Sequence, residues 1–220
     1  MIETKKYVVG LTGGIASGKS TIANFFKNKG IEHISADVVA KDLMQAGSKL
    51  ILEIEHVFQT EFKQNTLLTT ESELNRTKLR EIIFNSKRAR QRLDELTHPA
   101  IKKELLKRIH TAQSVYVIVE IPLLIEANMQ AIVNRILAVE TTPSSQLKRI
   151  MQRDQVDIEH AQKILNAQLS NEQRRAHSDD IIRNEGHLEQ VNNAVKLMHQ
   201  KYLYLAAKPT ISTDLGLALI

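Results

Sequence analysis

The stretch "YVVGLTGGIASGKSTIANFF", residues 7–26, joins an apolar run to an amphipathic helical pattern through a glycine-rich segment. Gly13, Gly18, Lys19 and Ser20 fit the spacing G-x-x-x-x-G-K-[ST], and a strand before it with a helix after it is the context that this spacing requires. Glycines allow successive backbone N–H groups to turn towards phosphate oxygens, and the positive end of the helix dipole adds to the attraction. The stretch therefore predicts a loop that binds the phosphates of a nucleoside triphosphate.

Individual side chains of this loop have separate predicted roles. We expect the Lys19 ammonium to reach the β- and γ-phosphates and the Ser20 hydroxyl to bind Mg²⁺. The alternative is a glycine-rich turn that leaves Lys19 in solvent. The loop residues that we predict to bind the nucleotide are Gly13, Gly14, Ala16, Ser17, Gly18, Lys19, Ser20 and Thr21.

Five short runs rich in apolar and β-branched residues predict the strands of a sheet. They span residues 7–11, 31–35, 115–121, 135–140 and 180–184, the second being the weakest. The runs are continuously apolar rather than alternating, and helical patterns separate them, as a parallel sheet covered on both faces requires. We therefore predict an α/β protein with a five-stranded parallel sheet flanked by helices.

Two excursions interrupt this alternation of strands and helices. About eighty residues between the second and third strands have the pattern of successive helices, which is too long for one crossover and predicts a helical subdomain on the sheet. A second excursion spans roughly residues 143–178. The last helix is predicted to end near Leu205, and the tail at 207–220 is predicted to be flexible.

The composition is that of an ordinary globular protein. Of 220 residues, 42% are apolar and 25% are charged, which favours one packed domain. The apolar runs fall short of the roughly 20 residues that a membrane span needs, and the N-terminal residues lack the hydrophobic centre of a signal peptide. We therefore expect no membrane partner and a cytoplasmic location. The absence of cysteine excludes disulfides, zinc–thiolate sites and thiol nucleophiles.

The formal net charge of +5 raises the question of a nucleic-acid partner. The basic residues are spread over several segments, and only 4% of the residues are aromatic. Proteins that bind single strands place aromatic rings between such cations for base stacking, and few rings are available here. We expect no nucleic-acid partner: a solvated surface explains about half of the charge, and polyanionic small ligands could explain the rest.

The carboxyl ends of parallel strands form the edge at which ligands bind, so the residues after each strand are the next candidates. The segment "SADVVAKDL" follows the second strand and puts Asp37 on the edge that carries the glycine-rich loop. Its carboxylate could orient or deprotonate an attacking hydroxyl and touch the metal's coordination shell. The alternative is that Asp37 or Ser35 only caps the next helix.

Charged residues in two other segments are further candidates. Glu120 ends the third strand and Glu126 follows it; either could hold Mg²⁺ through water, although neither lies in a sharp motif and a structural role is the alternative. Arg149 and Arg153 are four residues apart, so they project from one face of a helix. This pair could close over a triphosphate or could form a solvated face.

The segment "LTHPAI" contains His98 and Pro99, which we predict to open a helix. A lone histidine in this position is more often a cap or a core residue than a catalyst.

Several stretches taken together resemble the dephospho-CoA kinase family. They lie in the family's order and cover about residues 7–205. The glycine-rich loop is shared by many enzymes, but a helical insert that ends in a His-Pro pair and is followed by "PLL" and "QRD" is much more specific. The matching stretches are "GLTGGIASGKST", "ISADVVAKDL", "LREIIF", "LTHPAI", "IPLLIE", "LKRIMQRD", "AQKILNAQ" and "SDDIIRNEG".

The resemblance implies transfer of the γ-phosphate of ATP, with Mg²⁺, to the ribose 3′-hydroxyl of dephospho-CoA, giving coenzyme A and ADP. It also implies a P-loop kinase fold in which residues 4–206 form one domain with three parts. The predicted bounds are 4–60, 114–142 and 178–206 for the nucleotide core, about 61–113 for an acceptor-binding helical insert, and about 143–177 for a lid. We expect a monomer or a weak homo-oligomer.

The resemblance also assigns roles to residues. Asp37 matches the carboxylate that acts as the base, and Arg149 and Arg153 match the lid. The residues that match the acceptor side are Arg80, His98 and Leu123, together with Asp37. Asn184 matches the loop beside the adenine.

Two residues depart from the family's pattern. Ala16 stands where the family commonly has glycine, and Ser35 stands where it often has a second aspartate. Because alanine tolerates positive φ poorly, we expect this loop position to have an ordinary backbone conformation. Ser35 removes one possible auxiliary contact to the metal.

Three other functions share part of these features. A kinase for a nucleoside monophosphate would have the same loop, sheet and arginines, and a test of acceptors would separate it. A regulatory GTPase would need an N-K-x-D element, which the sequence lacks. An ATP-dependent nucleic-acid binder would bind oligonucleotides tightly and in a salt-sensitive way.

Overall fold

A five-stranded parallel sheet forms the centre of the computed structural model, which describes residues 6–208. The strands are β1 Tyr7–Gly13, β2 Glu32–Ser35, β3 Tyr116–Glu120, β4 Arg135–Glu140 and β5 Asp180–Arg183. β3 is buried along its whole length, and β1 and β4 are buried after their first residues, as expected for strands covered by helices on both faces. All five strands predicted from the sequence are confirmed.

The strand order is β2-β3-β1-β4-β5, so the chain builds one side of β1 first and the other side afterwards. Leu11 of β1 lies opposite Glu120 of β3, and Gly13 lies opposite Val139 of β4. Where the direction of strand addition reverses, a crevice opens beyond the carboxyl ends of the strands. The glycine-rich loop leaves β1 at this crevice.

Nine α-helices are present in the described part of the chain. They are α1 Lys19–Lys27, α2 Ala36–Leu43, α3 Lys49–Phe62, α4 Arg76–Asn85, α5 Lys87–Thr111, α6 Pro143–Asp154, α7 Ile158–Asn166, α8 Asn171–Arg175 and α9 Leu188–Ala207. Ser48 and Thr142 accept hydrogen bonds from the first turns of α3 and α6, which satisfies N–H groups that a helix leaves free. Within residues 6–208, no helix has the length and apolarity needed to cross a membrane.

Helices cover the two faces of the sheet in separate apolar layers. α1 and α9 pack on one face, where the rings of Phe26 and Tyr202 stack with centroids 6.1 Å apart. α2 and α5 pack on the other face. Side chains alternate along a strand, so neighbouring residues of β1 pack on opposite faces of the sheet. Val8 packs in the layer with α2 and α5, and Val9 packs in the layer with α1 and α9.

The excursion between β2 and β3 has an apolar cluster of its own. Leu50 and Phe58 of α3, Leu79 of α4 and Ala89 of α5 belong to it. The bounds of core, insert and lid stay a prediction, and α3 packs with α4 and α5 although most of its residues precede position 61. Residues 209–220 of the predicted tail lie outside the described residues.

The helix α5 runs from Lys87 to Thr111 and contains Pro99 in its interior. The prediction that His98 and Pro99 open a helix is therefore wrong. A proline inside a helix removes one N–H donor and crowds the carbonyl four residues before it, which is why the sequence suggested a boundary. Packing on both sides of Pro99 outweighs this cost. Before the proline, Ala89 lies in the apolar cluster shared with α3 and α4. After the proline, Leu105 lies in the layer that α2 and α5 form on the sheet.

Candidate active site

The loop between β1 and α1 depends on Gly18, the residue that precedes the helix. Gly18 has a φ of 89°, a left-handed conformation that favours glycine. A Cβ atom at this position would lie 1.9 Å from Asn184 Nδ2. Glycine therefore allows both the turn and the close approach of Asn184. The first N–H groups of α1 have no acceptor within the helix, so they can bind an anion.

Ala16 has a φ of 58°, in the left-handed region. The expectation of an ordinary backbone at this position is therefore wrong. A left-handed conformation costs an alanine roughly 1–2 kcal/mol, because its Cβ crowds the following carbonyl. A turn within the loop, closed by a hydrogen bond from the Ser17 N–H to the Gly14 carbonyl at 3.2 Å, favours this conformation, and contacts from outside the loop add to it.

Three successive carbonyl oxygens of the loop accept hydrogen bonds from side chains outside it. The bonds run from Gln146 Nε2 to Ile15 O at 2.7 Å, from Arg149 Nη1 to Ala16 O at 3.0 Å, and from Asn184 Nδ2 to Ser17 O at 2.8 Å. When carbonyl groups are held on the outside of a turn, the N–H groups face inwards and form a concave anion-binding surface. These bonds support the loop from outside, and its predicted phosphate-binding role stays a prediction.

Lys19, the first residue of α1, bends back over the loop. Its Nζ atom donates hydrogen bonds to the carbonyl oxygens of Gly13 at 2.9 Å and Gly14 at 3.1 Å. Burial lowers the pKa of Lys19, while the negative charge of Glu120 raises it. The ammonium is thus a partly desolvated charge, and charges in such surroundings interact more strongly than in water.

A cavity of about 660 Å³ lies over the loop at the carboxyl ends of the strands. The predicted site residues that line it are Ala16, Gly18, Lys19, Ser20, Thr21, Asp37, Arg149, Arg153 and Asn184. Gly13, Gly14 and Ser17 are buried. Lining residues that were not predicted are Ile15, Pro122, Gln168, Gly186 and Leu188. Four of them, Ile15, Pro122, Gln168 and Gly186, lie in stretches that carry the family resemblance, but no role was predicted for these positions.

Asp37 lies in the first turn of α2 and lines this cavity. The helix is capped by Ser35, whose Oγ accepts a hydrogen bond from the Val38 N–H at 3.5 Å. The capping alternative therefore holds for Ser35 and not for Asp37. Burial raises the pKa of Asp37, Glu120 raises it further, and Lys19 lowers it.

Glu120 also lines the cavity and is 9% exposed. Its Oε2 atom lies 2.9 Å from His33 Nε2, across the β2–β3 pair. Glu120 influences the pKa values of both Lys19 and Asp37. Of the two glutamates considered from the sequence, Glu120 is the one in the nucleotide cavity.

The two arginines of α6 have different partners. Arg149 donates to the carbonyl of Ala16, so it is tied to the loop. Arg153 is more exposed, with 57% of its side chain accessible, and forms two hydrogen bonds with Asp154 at 2.7 and 2.8 Å. An exposed ion pair of this kind contributes little to stability, so Arg153 can exchange Asp154 for another anion.

A second cavity, of about 490 Å³, adjoins the first. Of the predicted acceptor residues, Asp37, His98 and Leu123 line it. Arg80 is exposed on α4 and lines neither cavity. Asp37 is thus common to the two cavities, at the place where a donor bound in one would meet an acceptor bound in the other.

The oxygen atoms at the nucleotide cavity suit a magnesium ion that takes most of its ligands from phosphate and water. Among residues 6–208 there is no group of three or more His, Cys, Asp or Glu side chains that could hold a metal. The Ser20 hydroxyl and the carboxylates of Asp37 and Glu120 line the nucleotide cavity. Mg²⁺ commonly binds through one or two such oxygens and keeps several waters, so these residues fit it.

Comparison with known proteins identifies a family for the chain. The chain matches the family described as "Dephospho-CoA kinase" over residues 7–190. It is 42% identical to a dephospho-CoA kinase of Shewanella oneidensis over 201 residues, which cover 91% of this chain and 96% of that protein.

Two solved structures are also similar. The dephospho-CoA kinase of Campylobacter jejuni is 30% identical with a TM-score of 0.59, and the match covers 90% of this chain and 98% of that chain. A Thermus thermophilus protein, 23% identical with a TM-score of 0.76, covers 89% of this chain and 97% of its own, which supports the fold alone. By its sequence match and its fold, the chain belongs to the dephospho-CoA kinase family.

Proposed function

We propose that this chain transfers the γ-phosphoryl group of ATP to the ribose 3′-hydroxyl of dephospho-CoA, with Asp37 as the base. The family to which the chain belongs phosphorylates dephospho-CoA with ATP in the last step of coenzyme A synthesis. The observation that carries the proposal for this chain is that Asp37 lines both adjoining cavities. The cytoplasmic location and the monomer or weak homo-oligomer expected from the sequence stay predictions.

The triphosphate binds to the loop and to Lys19 in this proposal. Inward N–H groups and the start of α1 attract the phosphate oxygens. Lys19 exchanges its bonds to the carbonyls of Gly13 and Gly14 for the β- and γ-phosphates. The cost of burying its charge supports this role, because a phosphate is a better partner for an ammonium than a neutral carbonyl.

The chemical step is an in-line displacement at the γ-phosphorus. The 3′-hydroxyl oxygen forms a bond to phosphorus, the bond to the oxygen that bridges the β- and γ-phosphorus atoms breaks, and ADP leaves with that oxygen. The hydroxyl proton passes to the Asp37 carboxylate. The raised pKa of Asp37 supports the role, because a base works best when its pKa approaches the working pH.

Mg²⁺, when bound, neutralises charge on the phosphates. Ser20 would hold it directly, and Asp37 and Glu120 would hold it through water. Arg149 and Arg153 approach the phosphates from α6 and stabilise the charge that develops on the transferring group. We also assign His98 and Leu123, which line the second cavity, to acceptor binding, and Asn184 to the nucleotide side. The acceptor role of Arg80 stays a prediction from the family resemblance, since Arg80 lines neither cavity.

The test is to incubate the purified chain with ATP, Mg²⁺ and dephospho-CoA, and to measure product mass. We expect coenzyme A and ADP in equal amounts. A parallel panel should contain nucleoside monophosphates, and GTP should be compared with ATP. Phosphorylation of a monophosphate without phosphorylation of dephospho-CoA would overturn the assignment of the acceptor.

A further inference from the structure

Two glutamines bond to the main chain of Ile15 from opposite sides. Gln146 Nε2 donates to the Ile15 carbonyl at 2.7 Å, and the Ile15 N–H donates to Gln168 Oε1 at 2.7 Å. We call Gln146 and Gln168 the glutamine pair. Gln146 lies in α6, and Gln168 lies between α7 and α8. Residues of the excursion after β4 therefore form hydrogen bonds with both the N–H and the C=O group of Ile15 in the phosphate-binding loop.

The glutamine pair is held firmly in place. Gln146 is 3% exposed, and a Cβ atom at Gly14 would lie 2.5 Å from its Nε2 atom, so this side chain packs directly on the loop. The residue after Gln168 is anchored as well, because the buried Arg174 donates from Nη2 to the Leu169 carbonyl at 3.0 Å. Both members thus act from fixed positions.

The pair lies where it controls the backbone of Ala16. The φ angle of Ala16 depends on the peptide plane that precedes it, and Gln146 holds that plane through the Ile15 carbonyl. Arg149 holds the plane that follows, through the Ala16 carbonyl at 3.0 Å. Gln168 fixes the plane before Ile15. An alanine without such restraints favours negative φ.

We propose that Gln146 and Gln168 are positioning residues, which hold Ala16 at its φ of 58° and so shape the loop for phosphate before the nucleotide binds. Neither residue needs to touch the reacting atoms. A loop that is already in its binding shape loses less free energy on binding, so the pair contributes to nucleotide affinity. The inference rests on the proposed function, since it takes the triphosphate as the ligand of the loop.

A cycle of four proteins tests the inference: the unaltered chain, Ala16→Gly, Gln146→Met, and the double variant. Methionine has nearly the length of glutamine but cannot donate the hydrogen bond. Glycine takes left-handed φ without a steric penalty, so Ala16→Gly removes the need for the pair while leaving it in place. The cycle therefore isolates the part of each effect that passes through Ala16.

Thermal unfolding without nucleotide is the first measurement. Once Gln146 no longer holds the loop, Ala16 can relax to negative φ, and glycine then has no strain to relieve. Ala16→Gly changes Tm by one amount in the unaltered chain and by another in the Gln146→Met variant. We therefore expect the second change to be the more negative of the two, by about 2 °C or more for a chain of this size. Additive shifts in Tm would overturn the inference.

Binding of ATP by titration calorimetry, together with steady-state kinetics, is the second measurement. We expect Gln146→Met to weaken ATP binding roughly tenfold and to raise the KM for ATP more than it lowers kcat, as lost preorganisation would. The Ala16→Gly substitution should restore most of the lost affinity. An equal loss in both backgrounds would show that Gln146 does not act through Ala16 and would overturn the inference.

Two further variants complete the design. Gln168→Met should show the same pattern, which matters if Gln146→Met does not fold. Gln162→Met is the matched control, because the Nε2 atom of Gln162 bonds to Asn166 and not to the loop, and its ATP affinity should not change. Failure of the unaltered chain to bind ATP would contradict the proposed function, whereas the unfolding measurement still decides the inference.

Discussion

Gly18 and Ala16 both have left-handed backbone, but their surroundings differ. Asn184 occupies the space that a Cβ atom at Gly18 would need, whereas Ala16 carries its own Cβ and is held by hydrogen bonds to the carbonyls of Ile15 and of Ala16 itself. The two residues therefore respond differently to substitution: glycine is tolerated at position 16, and alanine is not tolerated at position 18.

We predict that Gly18→Ala weakens ATP binding by at least about tenfold, because the loop must move away from Asn184 and its N–H groups lose their alignment. Calorimetric titration with ATP measures this. Gly47→Ala is the matched control: Gly47 also has a left-handed φ, of 70°, but a Cβ there would meet nothing within 4 Å. It should cost stability, by about 1 kcal/mol, without changing ATP affinity. Equal affinities for the two variants would contradict the prediction.

The pKa of Asp37 gives a second prediction at the scale of single residues. The carboxylate must be deprotonated to accept a proton, so kcat rises with pH through this pKa. Glu120 raises the pKa of Asp37, so Glu120→Gln should lower it and move the acid limb of the pH–rate profile to lower pH. Glutamine keeps a polar partner for His33. An acid limb that stays in place or moves to higher pH would show that Glu120 does not raise the pKa of Asp37.

At the scale of elements, the helix α6 brings three site residues to the phosphate-binding loop. Gln146, Arg149 and Arg153 lie three and four residues apart, so they share one helical face, which is turned towards the loop and the nucleotide cavity. Two of them are bound to loop carbonyls, and Arg153 is bound to Asp154. α6 therefore both supports the loop and presents a cation that can move.

We predict that Arg153→Ala lowers kcat by a factor of about 10²–10³, the loss seen when one group that stabilises transition-state charge is removed. The side chain is exposed, and its pairing with Asp154 adds little stability, so Tm should change by less than about 2 °C. Arg153→Lys should recover only part of the activity, because lysine lacks the planar fork. A loss of Tm that accounts for the loss of activity would instead indicate a structural role.

The helix α5 gives a prediction about stability. Pro99 removes one hydrogen bond from the middle of α5 and crowds the carbonyl of Glu95. Pro99→Ala should therefore raise the free energy of unfolding by about 1 kcal/mol after allowance for the more flexible unfolded chain. Urea unfolding measures the change. A decrease in stability would show that Pro99 is needed for the packing of α5 against the two clusters that it joins.

At the scale of the whole molecule, the sequence predicted the sheet and the loop well, because both depend on local patterns. The strands are runs of buried apolar residues, and the loop has a fixed spacing of Gly18, Lys19 and Ser20. The backbone of Ala16 could not be predicted, since it depends on Gln146, which is 131 residues away from Ile15 in sequence. The continuity of α5 through Pro99 was missed for the same reason: distant packing outweighs local preference.

The candidate site was predicted in part. Nine of the predicted residues line the nucleotide cavity and three line the second cavity, Asp37 being in both. Arg80 lies elsewhere, on the exposed surface of α4. Gln168 ends the stretch "AQKILNAQ", which carries the family resemblance, but nothing in the sequence marks the contact of Gln146 or Gln168 with the loop, because a glutamine that bonds to a backbone group looks like any surface glutamine. Their contacts exist only once the excursion after β4 has packed on the loop.

Phosphoryl transfer by the whole molecule depends on donor and acceptor meeting at Asp37, and kinetic analysis of Asp37→Asn, combined with its Kd for ATP, tests this most directly. Asparagine keeps the size of the side chain but cannot accept the proton as a carboxylate does. We predict that turnover of ATP and dephospho-CoA falls by at least about a hundredfold, while the Kd for ATP stays within about twofold of the unaltered value. Unaltered turnover would contradict the proposal that Asp37 is the base, because Asp37 would then have no part in the transfer.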